Sequence, residues 1–235
     1  MRKIYILLIT VLSISNACSQ TAVEYNNRGI DKDNSQDYMG AIVDYTKAIE
    51  LDPNDHEIYT NRGVSKYNLQ DYRGAIADYT KAIELNPKSS DAYFNRGIAK
   101  ADLQDYRGAI ADYTKGIELD PYDHKMYTNR GNVKQSLQDY RGAIADYTKA
   151  IELAPESFNA YYNRGLSKGM SKQYRSSISD FTKVIEINPN YSDGHYNRGL
   201  SKIYLDQINS GCLDLSKAGE LGHPRAYDMI RKYCN

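Results

Sequence analysis

The tripeptide Asn-Arg-Gly recurs six times, at 27–29, 61–63, 95–97, 129–131, 163–165 and 197–199, and each start lies 34 residues after the one before. Pro53, Pro87, Pro121, Pro155 and Pro189 keep the same step. A fixed period of roughly 20–50 residues marks a stacked array, because one such unit cannot bury its apolar face alone and must do so against its neighbours. The problem of the fold therefore reduces to what one unit does.

In the unit 56–89 the pattern predicts two helices. The first, about 57–69, carries Tyr59, Gly63 and Leu69, and the second, about 72–85, carries Tyr72, Ala75, Ile76, Tyr79, Ala82, Ile83 and Leu85. Ala75, Tyr79, Ala82 and Ile83 follow the three-and-four spacing of one helix face. Asp71 stands where an N-cap is needed, and Pro87 cannot continue the helix. Ser89, Ser90 or Asp91 is placed to cap the next helix. Antiparallel helices approach closely only where side chains are small, so Gly63 is expected to face Ala75, with Tyr and Ile filling the flanks and Ile76 in the core.

Composition agrees with one motif copied many times: the chain has 23 Tyr, 3 Phe and no Trp. Its 41% hydrophobic and 26% charged residues suit a folded, soluble body. Lys+Arg and Asp+Glu are both 30. That balance, with no basic stripe, argues against nucleic acid as a partner. His56, His124, His195 and His223 lack ligand spacing, and no Cys pair has zinc spacing. There is no phosphate-binding glycine loop and no nucleophile elbow. The sequence thus points to no catalytic residue, no metal and no cofactor, and an enzyme is not expected.

Residues 1–19 have the form of a secretory signal. Arg2 and Lys3 are followed by the apolar run Ile4 to Leu12, broken only by Thr10, and then by Ser13, Ser15, Asn16 and Ala17. Removal of Arg2 and Lys3 would leave 28 basic against 30 acidic residues. Two exits remain open. Cleavage after Ser19 satisfies a small-x-small rule. Cleavage before Cys18 resembles a bacterial lipobox, in which that Cys is lipidated, although Ser15 stands where the pattern prefers a branched apolar residue. An exported destination follows: periplasm, outer-membrane anchorage or secretion, with the membrane reached only through a lipid on Cys18. Export also favours disulfides, and with Cys18 lipidated or removed Cys212 and Cys234 remain as an even pair that could be bonded.

The unit Tyr59-x-x-x-Gly63, then Tyr72-x-x-Ala75, Tyr79, Ala82 and Pro87, resembles the tetratricopeptide repeat. The resemblance runs over 22–225 as six repeats, about 22–55, 56–89, 90–123, 124–157, 158–191 and 192–225. The sixth departs, with His195 for Tyr, Gly211 for Ala, Leu215 for Tyr, and Pro224 one place late. Residues 226–235 read as a C-terminal capping helix. The resemblance implies an all-α, right-handed superhelical solenoid whose first helices line the inner, concave face. One departure recurs in every copy. Where the family has an apolar residue before the Gly, this chain has Arg28, Arg62, Arg96, Arg130, Arg164 and Arg198, matched by Asp44, Asp78, Asp112, Asp146, Asp180 and Asp214 in the second helices. We expect these to form a ladder of ion pairs, within or between repeats.

The second helices are nearly frozen: 71–85 and 139–153 are identical, and 105–119 differs only at Gly116. Variation gathers on the first helices. The resemblance carries the family's inner-face places onto Thr60, Val64, Tyr67, Phe94, Ile98, Thr128, Asn132, Tyr162, Leu166, Met170, Tyr196, Leu200 and Tyr204. The recurring Asn61, Asn95, Asn129, Asn163 and Asn197 each offer a donor and an acceptor to an extended backbone. The expected function is a protein-interaction scaffold that holds a hydrophobic or mixed peptide on this face. A self-associating structural component of a bacterial envelope is the alternative.

Overall fold

The computed structural model describes residues 21–234; the leader at 1–19 and Cys18 lie outside the described residues. Every element among them is a helix. Two compact units divide the chain, the first ending at Asp120 and the second beginning at Pro121. The first unit holds three hairpins: α1 (21–34) with α2 (Tyr38–Leu51), α3 (His56–Asn68) with α4 (Tyr72–Leu85), and α5 (Ser90–Asp102) with α6 (Tyr106–Leu119). The second holds α7 (His124–Ser136) with α8 (Tyr140–Leu153), α9 (Phe158–Met170) with α10 (Tyr174–Ile187), α11 (Ser192–Ile203) with α12 (Ile208–Glu220), and the closing helix α13 (Ala226–Tyr233). Inside each unit a hairpin packs on its successor, α2 on α3 and α4 on α5, then α8 on α9 and α10 on α11. Consecutive first helices also touch, α3 with α5 and α7 with α9 with α11.

The turn inside each of the first five hairpins is made by three residues, and that of the sixth by four. Gln70 N–H donates to Tyr67 O at 2.8 Å and Asp71 N–H to Lys66 O at 2.9 Å, which ends α3 as a Schellman motif. The motif requires a left-handed residue, and Gln70 takes it at φ 62°. Gln36, Gln104, Gln138, Lys172 and Asp206 do the same at φ 60–65°. Asp71 then serves the other side of the turn, its Oδ1 accepting from Gly74 N–H at 3.0 Å to cap α4. Asp37, Asp105 and Asp139 repeat the arrangement, whereas Gln173 and Gln207 make no side-chain cap. Ser89 is the residue that caps α5.

The seam differs from the expected Gly-on-Ala contact. A Cβ on Gly63 would fall 2.6 Å from Tyr79 Cε1, so the glycine makes room for a ring. Tyr45, Tyr79, Tyr113, Tyr147 and Phe181 occupy this place and are almost wholly buried. Ala75 is buried nearby, while Ile76 is only half-buried because it sits on the flank of the ring. In the sixth repeat the smaller Leu215 replaces the ring. There the small-on-small contact does form: a Cβ on Gly199 would lie 2.9 Å from Gly211 O. The apolar seam crosses from one repeat to the next, as in the cluster of Ala41, Tyr45, Ala48 and Ile58 and that of Tyr59, Ala82, Ile83 and Ala92.

The Arg–Asp ladder forms, and every rung lies within one repeat. Arg Nη2 to Asp Oδ1 is 2.6–2.7 Å in Arg62–Asp78, Arg96–Asp112, Arg130–Asp146, Arg164–Asp180 and Arg198–Asp214, and Arg28 pairs likewise with Asp44. Each Asp is also held by a lysine one turn on, at 2.7–2.8 Å: Lys32, Lys66, Lys100, Lys134, Lys168 and Lys202. The hydrogen bond from Arg28 and the neighbouring Lys32 hold the Asp44 carboxyl well below the usual carboxylate range. A third contact joins neighbouring repeats. Arg62 Nη1 donates to Thr46 and Arg96 Nη1 to Thr80 at 3.1 Å, and Arg164 and Arg198 reach Thr148 and Thr182 at 3.1 and 3.4 Å.

Two outcomes are expected. Arg96→Ala, Asp112→Ala and the double variant should show a coupling of at least about 1 kcal/mol in chemical unfolding, whereas additivity within about 0.5 kcal/mol would mean the pair contributes nothing. Gln104→Gly should stabilise by up to about 1 kcal/mol, the left-handed penalty less the chain entropy that glycine gives up. The unfolding midpoint reads it.

Candidate functional site

The candidate residues fall into both units. Asn61, Tyr67, Phe94 and Asn95 belong to the first; Asn129, Asn132, Tyr162, Asn163, Tyr196, Asn197 and Tyr204 belong to the second. In the first unit the Tyr67 hydroxyl donates to Asp102 Oδ2 at 2.5 Å, tying α3 to α5. Phe94 lies 6.0 Å from the Tyr113 ring and is half-buried. Both are part of the first-helix face.

The asparagine row is less open than its spacing suggests. Asn61 Nδ2 donates to Asn26 Oδ1 at 3.1 Å and Asn163 Nδ2 to Asn132 Oδ1 at 3.0 Å, so two of the amides stitch consecutive first helices together. Asn129 and Asn197 donate to backbone carbonyls one turn back, Lys125 O at 2.9 Å and Asp193 O at 2.8 Å. The Tyr147 hydroxyl lies 2.8 Å from Asn132 Oδ1 and from Gln135 Oε1. Asn95 alone of the row makes no side-chain hydrogen bond among the described residues. The row therefore presents mainly carbonyl oxygens, which suit the N–H groups of a ligand backbone.

Tyr196 corrects the expectation in a second way. It is 5% exposed and does not face a ligand. The segment after the sixth repeat folds over it: the His223 ring stacks on Tyr196 at 3.8 Å and Arg225 lies over its face at 5.5 Å. Burial lowers the pKa of His223, with Arg225 adding to the effect and Asp193 opposing it. Beneath the tail, Ile203, Leu215, Ala218 and Ala226 form a closed cluster with Met229, Ile230 and Tyr233 packed against it. Cys212 and Cys234 are bonded, with Cα atoms 5.9 Å apart, and fasten α13 to α12.

The fifth and sixth repeats bring candidate residues together. A cleft of about 420 Å³ opens on the first-helix side, lined by Leu166, Met170, Asn197, Leu200 and Tyr204. The structure adds wall residues that the spacing argument missed: Gly165, Gly169, Lys172, Tyr174, Phe181 and Ser201. Tyr174 stacks on Tyr204 at 5.0 Å. Gly169, one of the lining residues, leaves room in the cleft. Its place holds Tyr67 in the second repeat and Gln135 in the fourth, and a Cβ there would meet only Ser177 Oγ, at 3.5 Å. A lone glycine within a helical pattern was the available signal. The walls are apolar with a few polar groups at the edge, as in small-ligand and side-chain pockets generally.

Removing the bridge tests the tail. The bond closes a separation of 22 residues. Chain-entropy arguments give about 3 kcal/mol for a loop of that size. Cys212→Ala with Cys234→Ala should lower stability by about that amount, and dithiothreitol should reproduce the shift in the wild type only.

Family profiles for the tetratricopeptide repeat match residues 56–89 and 90–123 and, with a separate profile of the same description, 158–191; a TPR repeat profile matches 35–70 and 131–169. No curated protein matches the chain significantly. Several solved structures are similar. YrrB, described as a TPR protein with an unusual peptide-binding site, is 23% identical with a TM-score of 0.72, over 80% of this chain and 97% of that one. The MamA protein is 26% identical with a TM-score of 0.68, over 74% and 95%. The C-terminal part of a TPR repeat-containing protein from Cytophaga hutchinsonii is 21% identical with a TM-score of 0.78, over 88% and 87%. With six hairpins of constant length, the Gly–ring seam and these profile matches over most of its length, the chain belongs to the tetratricopeptide repeat family.

Proposed function

We propose that this protein is a non-enzymatic scaffold that holds an extended segment of a partner protein against the first helices of its fifth and sixth repeats. The cleft at Gly169 carries the reading. Its walls, Leu166, Met170, Leu200 and Tyr204, can desolvate one large apolar side chain, and aromatic anchors in such pockets dominate peptide affinity. Carbonyl oxygens of the asparagine row would take the segment's backbone N–H groups. That a stack of this kind can present a peptide-binding site is what YrrB illustrates. No metal or cofactor enters this function.

The leader pattern at 1–19 and the Cys212–Cys234 bond support action outside the cytoplasm, where disulfides persist. Whether attachment is through a lipid on Cys18 is decided by mass spectrometry of the mature N-terminus, with an acylated Cys18 or an unmodified Gln20 as the two outcomes.

Gly169→Tyr fills the cleft with the residue of the second repeat and keeps the helix. Immobilised wild type and variant are compared for the proteins each retains from an extract of the source cell. The variant should lose the specific partner by at least about tenfold. Equal recovery by both would remove this site from the function.

A further inference from the structure

The first-helix face carries a second feature, about two helical turns from the cleft toward the starts of α9 and α11. Asp193 sits in the first turn of α11 with its side chain 43% exposed. Its Oδ2 accepts long hydrogen bonds from Tyr191 at 3.4 Å and Tyr162 at 3.5 Å. These two rings meet edge to face at 5.3 Å, and Phe158 packs on both, at 4.9 Å from Tyr191 and 6.4 Å from Tyr162. A half-exposed carboxylate is thus rimmed by three aromatic rings.

Unlike the ladder aspartates, Asp193 is held by aromatic hydroxyls and a histidine and by no arginine or lysine. Each of the six ladder aspartates is clamped by one arginine and one lysine. Among the described residues Asp193 has only the His223 Nε2, at 3.5 Å. Burial of that imidazole favours its neutral form. Arg225 is engaged over Tyr196 instead. Asn197 links the two features: it lines the cleft, and its Nδ2 approaches the Tyr162 hydroxyl at 3.4 Å. The cleft's far end is of opposite sign, because Lys172 stands there.

From this juxtaposition we infer that the partner segment is basic-apolar: an Arg or Lys on Asp193 and its flanking rings, three or four residues from an apolar side chain in the cleft. The spacing follows from the helix. Asp193 and Leu200 are about 10 Å apart along α11, which an extended peptide covers in about three residues. A cation is favoured there by charge and by the ring faces. Lys172 disfavours one at the other end, so the segment has a single orientation.

The inference rests on the scaffold reading, and one experiment separates them. A random dodecapeptide display library is selected on the immobilised full chain, on Asp193→Asn and on Leu200→Asp, after circular dichroism shows all three folded. Wild type should enrich peptides with an Arg or Lys three or four residues to one side of a large apolar residue. Asp193→Asn should bind those peptides roughly tenfold more weakly and select apolar residues without the basic one, while Asp193→Glu restores the preference. Peptides from wild type with no basic enrichment, or with affinity unchanged in Asp193→Asn, overturn the inference. If Leu200→Asp still abolishes selection in that case, the scaffold reading stands alone. If Leu200→Asp selects the same peptides as wild type, or wild type selects none, both fall.

Discussion

Each repeat turns on one buried carboxylate. Burying a charge is costly, and a pair seldom repays the cost unless every lone pair is satisfied. Here Asp78 meets that demand: Arg62 approaches with two nitrogens and Lys66 with a third. Both cations lie one turn apart on the first helix, so the aspartate fixes the rotation and the height of the second helix against it. The remaining Arg62 nitrogen reaches Thr46 of the repeat before. One guanidinium thus sets the geometry within a hairpin and the register between hairpins. Apolar seams are indifferent to small slides, and a bidentate fork is not.

Much of this was legible in the chain, and the parts that were not have physical reasons. A constant period announces a stacked array, and the three-and-four spacing of Ala75, Tyr79, Ala82 and Ile83 makes its unit helical. Asp71 could be read as a cap because its place before an apolar periodic run has few other uses. The Arg62–Asp78 match was visible because the Arg stands where the family has an apolar residue and an Asp recurs with it in every repeat. Lys66 was not singled out, since a lysine on a helix is ordinarily solvated and only the closed seam draws it inward. The partner of Gly63 was misassigned for a related reason: spacing tells which residues share a face, but the depth to which Tyr79 penetrates is set by packing.

The site was harder to read than the fold. Asparagines that look available in a sequence are mostly engaged, because consecutive first helices lie close enough for Asn163 to reach Asn132. Tyr196 repeats the inner-face position of Tyr162, yet the chain's own tail occupies the space that a seventh repeat would fill. The cleft gains room from what is missing at Gly169, and an absent side chain leaves only a weak trace in sequence. The cleft thus lies where the repeat is least faithful to itself.

The rung from Arg to the threonine of the preceding repeat carries a consequence for how such a chain can change. Thr46 and Thr80 present the same hydroxyl to Arg62 and Arg96. Excision of 56–89 would bring Arg96 to Thr46 and recreate the joint with the same two residue types. Arrays of this kind can therefore lengthen or shorten by whole repeats through recombination between near-identical segments, and no new interface has to evolve at the splice.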